Sequence, residues 1–268
     1  VIIASRKLDA CEAVAEELRA MGRRALAVAC HAGKWADVER LAEVVYAEFG
    51  RIDVLVNNAG MSPAVPTHEV TEELFDKVVG LNFKGPFRLS AIVAQRMMEG
   101  EGGSIINISS TGGLRPSPQI VPYSGAKAAL NAMTVGLAQE YGPKVRVNTI
   151  SAGPFLTDIS KAWTAEMRET CANALGRPGL PEEIVTTALY LASPYSSYTT
   201  ASLIKVDGGL PYPPRYSRTY AHNTKRQTYA IARQKDNRHR WCARHRRERG
   251  ARLCRRRRQD RFARCAGR

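Results

Sequence analysis

Hydrophobic and polar positions follow two different periods along the first 210 residues. Short apolar runs at Val1–Ala4, Arg24–Cys30, Ile52–Val56, Ser104–Ser109, Val145–Ile150 and Ser202–Val206 have the length and the β-branched content of strands. Between them lie segments with the helical period. Leu8–Met21 is amphipathic and ends at Gly22. Trp35–Phe49 sets Val38, Leu41, Val45 and Phe49 on one side, and Gly50 stops it. A third helix opens at Thr71-Glu72-Glu73 and runs to Leu81-Asn82-Phe83, and its apolar positions continue through Phe87, Leu89, Ile92, Val93 and Met97. A fourth follows Pro122. The last, from Leu180 to Leu191, has Pro181 in its first turn and Glu182 and Glu183 at the positive end of its dipole. Apart from Asp53, the run Ile52–Val56 is apolar throughout, the mark of a strand covered on both faces.

The stretch Gly103–Lys127 concentrates the chemistry. A strand leads into a loop carrying Gly112, Gly113, Pro116 and Pro118, and a helix follows. Tyr123 and Lys127 are four apart and share a helix face. Ser110, at the strand end, is placed to deliver its hydroxyl to that face. A carbonyl reduced by hydride needs a proton on its oxygen, and a phenol with a pKa of about 10 needs tuning to supply one near neutrality. A neighbouring ammonium favours the phenolate, and a hydroxyl beside the same oxygen polarises it.

With Asn57-Asn58-Ala59-Gly60 and Asn82 upstream, and Val206-Asp207-Gly208-Gly209 downstream, residues 1 to about 210 resemble a short-chain dehydrogenase/reductase. The resemblance implies an α/β fold with a Rossmann-like, doubly wound parallel sheet, a nicotinamide cofactor, and a catalytic set of Asn82, Ser110, Tyr123 and Lys127. It implies a small-molecule carbonyl or alcohol substrate, held under a variable lid that falls on residues 158 to about 178. It also implies a homo-oligomer, dimer or tetramer, with the Phe87 and Tyr123 helices packed across a subunit interface. The implied cofactor contacts are Asn58, Ala59, Gly60, Tyr123, Lys127, Phe155 and Thr157, with Asn82 bending its helix and holding a water that links Lys127 to solvent. One departure is Ala152-Gly153-Pro154 where the family has Pro-Gly, which moves the proline by two.

The family also carries a Gly-rich Thr-Gly-x-x-x-Gly-x-Gly turn on a first strand–turn–helix unit of roughly 30 residues. These 268 residues contain no such turn. The chain therefore reads as a fragment lacking that unit, with a sheet deprived of its middle strand and a weakened hold on the pyrophosphate. At the end of the Val1–Ala4 strand, where an acidic residue would hydrogen-bond the adenosine ribose, the chain has Ser5-Arg6-Lys7. Two cations and a hydroxyl suit a 2′-phosphate and favour NADP(H) over NAD(H), the alternative being a solvated first helical turn. His31 stands where the family often has Asp against adenine; it either contacts the base or is an ordinary loop histidine.

Charge divides the chain. Residues 1–210 hold 20 Lys+Arg against 22 Asp+Glu, whereas residues 211–268 hold 20 against three, although the whole carries +15. The predicted organisation is a catalytic domain over 1–210 and a basic, disordered tail over 211–268. The tail reads either as a nucleic-acid or polyanion-binding arm, the sole strong interaction of a non-catalytic fragment, or as an out-of-frame product of the gene. His239, Cys242, His245 and Cys254 lack metal-ligand spacing, so no metal is expected. The six cysteines show no Cys-x-x-Cys pair and suit a reduced, cytoplasmic setting. No apolar run nears the roughly 18 residues of a membrane span.

Overall fold

The computed structural model describes residues 1–211; the basic tail lies outside them from residue 212 onward. Strands and helices alternate in chain order. They run β1 (Ile2–Ser5), α1 (Leu8–Ala20), β2 (Leu26–Ala29), α2 (Trp35–Phe49), β3 (Val54–Asn57), α3 (Glu72–Val79) and α4 (Gly85–Glu99). Then follow β4 (Gly103–Ser110), α5 (Val121–Tyr141), β5 (Val145–Ala152), the short α6 (Ala165–Glu169), α7 (Val185–Ala192) and β6 (Leu203–Val206). The fold is Rossmann-like, as expected, and local chemistry sets its ends. Gly50 adopts φ 74° and closes α2 in the left-handed conformation that glycine tolerates. The Thr71 hydroxyl accepts the Leu74 N–H at 3.2 Å and caps α3. The segment expected as one helix from Leu180 begins as a 3-10 turn over Pro181–Ile184 before α7, a common tightening at helix N-termini, with the Glu183 carboxylate accepting the Leu180 N–H at 2.7 Å.

Every strand pairing is parallel. β3, β4, β5 and β6 form one sheet in that order, and β1 and β2 form a second. In β4, Ile105 joins Val93, Ala94, Met97, Leu137 and Val147 on one face, while Ile106 joins Ile150 and Leu191 on the other. Successive residues thus face opposite covered sides, which is why the strand is apolar without interruption. Each such fully buried aliphatic side chain contributes about 1.5–3 kcal/mol. Inside this core a chain of polar groups crosses the sheet. Asn57 Nδ2 donates to Ser90 Oγ (2.9 Å) and Asn107 Oδ1 (2.8 Å), and Asn107 Nδ2 donates to Thr134 Oγ1 (2.9 Å), which meets Thr149 Oγ1 (2.7 Å). Buried amides and hydroxyls with every partner supplied fix α4 and α5 in one position on β3–β5.

The two sheets face each other across a cleft of about 920 Å³, lined by Val1–Ser5 on one side and Arg51–Ala59 on the other. Helix α2 packs on the smaller sheet and against α4. Its Val38, Leu41 and Val45 pack with Ile2 and Val28 of that sheet, with Cys30 just after β2, with Ile52 before β3 and with Leu89 of α4.

Gly85 marks the tightest approach in this layer. A Cβ on it would lie 1.6 Å from the Ala32 carbonyl oxygen, and one on Gly33 would lie 3.1 Å from Leu81 N. Neither neighbour is a flexible side chain, so Gly85→Ala is expected to destabilise the fold by about 3 kcal/mol or more through forced backbone displacement. Urea unfolding of the variant checks this; an unchanged midpoint contradicts the packing described.

Candidate active site

All four strands of the larger sheet end at one edge, at Asn57, Ser110, Ala152 and Val206. Open parallel sheets bind their ligands beyond this carboxyl edge. Ser110 closes β4 and turns the chain into a 3-10 turn by accepting the Gly112 N–H at 3.0 Å. The turn lies on α5, because a Cβ on Gly113 would stand 2.9 Å from the Lys127 carbonyl carbon. Only glycine lets this loop approach so closely, and that approach carries the Ser110 hydroxyl to Tyr123. A single point beside Gly112 is 3.4 Å from both Ser110 Oγ and Tyr123 Cε1.

Two opposing effects act on the Tyr123 phenol. Burial pushes its pKa up, and a hydrogen bond with Ser110 pulls it down, leaving it raised. The Lys127 ammonium lies 5.8 Å from the ring centroid and donates to the Ile108 carbonyl at 2.7 Å. Lys127 is almost wholly buried, and burial lowers its pKa to about 8. The expected downward pull of Lys127 on the phenol is therefore not what governs Tyr123 in this state, where Ser110 supplies the lowering effect.

Asn82 sits in a single π-helical turn, Gly80–Lys84, between α3 and α4. Its Nδ2 donates to the Val78 carbonyl four residues back and to the Met61 carbonyl, both at 2.9 Å. The first of these bonds competes with the helical ladder and accounts for the widened turn. Its Oδ1 is buried and has no hydrogen-bond partner. A Cβ on Gly60 would lie 3.0 Å from that oxygen and 3.7 Å from Lys127 Nζ, so both groups flank one spot at the end of the Asn57–Gly60 turn. An orphaned buried acceptor next to a buried amine marks a place for a small polar guest.

The remaining cofactor candidates are spread along the same side of the molecule. Asn58 and Ala59 are exposed just past β3, whereas Asn57 is spent on the buried network. Arg6 and Lys7 are exposed after β1, and Ser5 Oγ accepts the Lys7 N–H at 3.2 Å. Lys7 is near enough to Asp158, just beyond Thr157, to help hold that carboxyl below its usual range; the hydrogen bond from Lys161 is the larger cause. His31 Nδ1 accepts the Gly33 N–H at 3.2 Å and the His31 backbone N–H donates to Asp37 Oδ2 at 3.0 Å, leaving Nε2 for any further contact. Phe155 bridges to Gly179, its ring pressed where a glycine Cβ would be. Thr157 is exposed at the start of the 3-10 turn Asp158–Ala162. The Asp207 carbonyl accepts from Asn173 Nδ2 at 3.2 Å, which ties the stretch 158–178, where a lid is expected, to the strand edge.

A family model described as Enoyl-(Acyl carrier protein) reductase matches residues 1–211. The chain belongs to the short-chain dehydrogenase/reductase family. Its relatives include the 3-oxoacyl-[acyl-carrier-protein] reductase FabG of Thermotoga maritima, 38% identical over 65% of this chain and 72% of that protein. Another is Dehydrogenase/reductase SDR family member 4 of Homo sapiens, 33% identical over 79% of this chain and 78% of the relative. Among solved structures, a short-chain type dehydrogenase/reductase from Mycobacterium marinum superposes with a TM-score of 0.74 at 33% identity, covering 80% of this chain and 86% of that one. A 7α-hydroxysteroid dehydrogenase complexed with NADH and 7-oxo glycochenodeoxycholic acid gives 0.74 at 30% identity, covering 78% and 83%. Short-chain dehydrogenase/reductases are oxidoreductases that use NAD(P)(H) on CH–OH groups, and the residues here fit the nicotinamide half of such a cofactor. The orphaned Asn82 Oδ1, the buried Lys127 amine and the exposed Asn58-Ala59 turn share one edge. The pyrophosphate half has no glycine-rich cradle within residues 1–211.

Proposed function

We propose that this chain interconverts a small-molecule carbonyl and its alcohol with NADP(H), using Ser110, Tyr123, Lys127 and Asn82. The observation that carries this reading is the meeting of Ser110 and Tyr123 beside Gly112, with Lys127 buried one helical turn along the same face. When bound, the nicotinamide supplies hydride to the carbonyl carbon. Tyr123 gives its phenolic proton to the carbonyl oxygen, and the reverse transfer serves oxidation. Ser110 Oγ already accepts from Gly112 N–H, and its own hydrogen, directed at the Tyr123 phenol in this state, turns to the substrate oxygen and polarises it. Lys127 favours the phenolate left behind and holds the nicotinamide ribose. Asn82 Oδ1 accepts from the water that returns a proton through Lys127.

Arg6 and Lys7 support the phosphate-bearing cofactor, being exposed cations without an ion pair among the described residues. Arg6→Ala is expected to weaken NADPH binding by about 1.5–3 kcal/mol, the worth of a hydrogen bond to a charged group, with NADH binding unchanged. Fluorescence titration with both nucleotides measures this, and equal losses contradict the assignment. With no glycine-rich turn in its sequence, the chain is expected to bind either nucleotide weakly, and a version carrying one to bind tightly. Exposed Phe75, Phe87, Val121 and Val135 on α3, α4 and α5 support self-association through this flank. The free Cys11, Cys30 and Cys171 accord with a reduced, cytoplasmic setting.

A further inference from the structure

Arg115 is half-buried and has nothing to hold. It lies in the loop 111–120, which joins Ser110 at the end of β4 to α5 and Tyr123. Its backbone N–H donates to the Thr111 carbonyl at 2.7 Å, a single turn that keeps its Cα about 6 Å from that of Thr111. Its Nε is buried without a hydrogen-bond partner, and its guanidinium makes no ion pair among the described residues. Arg88, Arg96 and Arg146 are half-buried as well, and each is occupied. Arg88 pairs with Glu39, Arg96 with Glu43, and Arg146 donates to the Leu191 and Ser193 carbonyls at 3.0 and 3.3 Å. A guanidinium cannot shed its proton, so covering it without a partner has a cost that an anion within reach would offset.

The loop around Arg115 is held in one shape. Pro116 and Pro118 fix two of its φ angles. Gln119 adopts φ 67°, the left-handed conformation that side chains seldom take, and its carbonyl accepts the Val65 N–H at 2.9 Å from the segment after β3. Strain of this kind persists where the surroundings impose it, as they do at ligand clamps. Ser110 and Tyr123 stand at the two ends of the loop, so a group gripped by Arg115 belongs to a molecule whose other end lies at their hydroxyls. The cations of the 158–169 stretch are already engaged: Lys161 pairs with Asp158, and Arg168 Nε donates to the Ser160 carbonyl at 3.2 Å. One unpaired charge matches a monoanion, and the planar guanidinium fork takes a carboxylate through two parallel hydrogen bonds.

We propose that Arg115 binds a carboxylate on the substrate, so that the carbonyl compound is an oxo acid and the alcohol a hydroxy acid. The substrate class rests on the oxidoreductase reading above, whereas the grip on the carboxylate is a property of this loop. Arg115 donates two N–H bonds to the carboxylate oxygens while Ser110 and Tyr123 take the carbonyl oxygen. Two anchors hold the substrate in one orientation, and no bond is made or broken at the carboxylate.

The test uses the full 268-residue chain with excess oxidised NADP, which cannot reduce a ketone, so that binding is read without turnover. Ligand-observed NMR gives Kd for 2-oxopentanoate, 4-oxopentanoate and 6-oxoheptanoate, each beside its uncharged amide. At least one acid is expected to bind at least about tenfold more tightly than its amide, the lower end for a hydrogen bond to a charged group. Arg115→Gln is expected to bring acid and amide to within about twofold, and Arg115→Lys, which keeps the charge without the fork, to retain a smaller preference. The basic tail is the same in every variant, so carboxylate binding by the tail survives these substitutions. The urea midpoint of Arg115→Gln should not fall, because the charge removed has no partner to lose. No acid preferred in the parent, a preference that Arg115→Gln keeps, or a lowered midpoint overturns the proposal. Turnover with NADPH separates the two readings. Amides reduced with the kcat/KM of their acids leave the reductase standing without Arg115, whereas a binding preference with no ketone reduced upholds the carboxylate site and removes the reductase.

Discussion

Replacing Tyr123 by Phe is expected to lower kcat/KM by about 10²–10⁴, the range for loss of a positioned proton donor, equivalent to about 3–5 kcal/mol. The comparison belongs in a version of the chain extended by a glycine-rich first unit, so that both enzymes can be saturated with NADPH. Nucleotide affinity should be largely retained, because the phenol acts on substrate oxygen and the ring that packs beside Gly112 is kept. Variant and parent should then differ in kcat with similar cofactor Kd values. Comparable turnover in the two would remove Tyr123 from the chemistry.

Lys127 carries the second large effect, in which stability and activity move in opposite directions. Burial lowers its pKa from 10.5 to about 8, so the folded state disfavours the ammonium by about 3 kcal/mol relative to the unfolded chain. Below pH 8 both states bind the proton and the folded state bears this cost in full. Between about pH 8 and 10.5 the unfolded chain holds a proton that the folded chain has released, so stability rises with pH across that window and levels off above it. Lys127→Met keeps the side-chain volume and removes the charge, at the expense of the bond to the Ile108 carbonyl. It is expected to stabilise the fold at pH 7 by about 1–2 kcal/mol. It should also abolish the rise in stability above pH 8 and cut turnover by about 10² or more. Urea unfolding at pH 7 and pH 9.5 gives the first two quantities directly. A destabilised variant, or one that keeps the parent's pH slope, contradicts the burial argument.

Much of this arrangement could be read from the chain before any coordinates. The bounds of α2 follow from its apolar spacing and Gly50, and the uninterrupted apolar run of β4 follows from cover on both faces. The Tyr123–Lys127 spacing and the strand-end position of Ser110 were likewise legible, because each depends on local periodicity. What escaped depends on contacts between distant segments. No propensity marks the π turn at Gly80–Lys84, which arises when Asn82 takes the Val78 carbonyl. The bond from Lys127 to Ile108, and the dominance of Ser110 over Lys127 in tuning the phenol, follow from how α5 seats on β4. Gly113 reads as a loop residue in the sequence, and Gly85 carries no signal of its own there. Their role is to let one backbone touch another, and only the partner, Ala32 or Lys127, makes that visible. His31 was open between two readings, and its Nδ1 proves to be occupied by its own turn.

The most direct test of the central claim follows the hydride itself. With NADPH deuterated at the transferring position of the nicotinamide and a ketone substrate, mass spectrometry of the alcohol should find one deuterium, at the carbinol carbon. With Tyr123 replaced by Phe, the labelled alcohol should accumulate at least about 10² more slowly, each molecule formed still carrying the deuterium. An unlabelled alcohol would contradict hydride transfer from the nicotinamide, and labelled alcohol formed at the parent's rate by the Phe variant would contradict proton delivery by Tyr123 to an oxygen shared with Ser110.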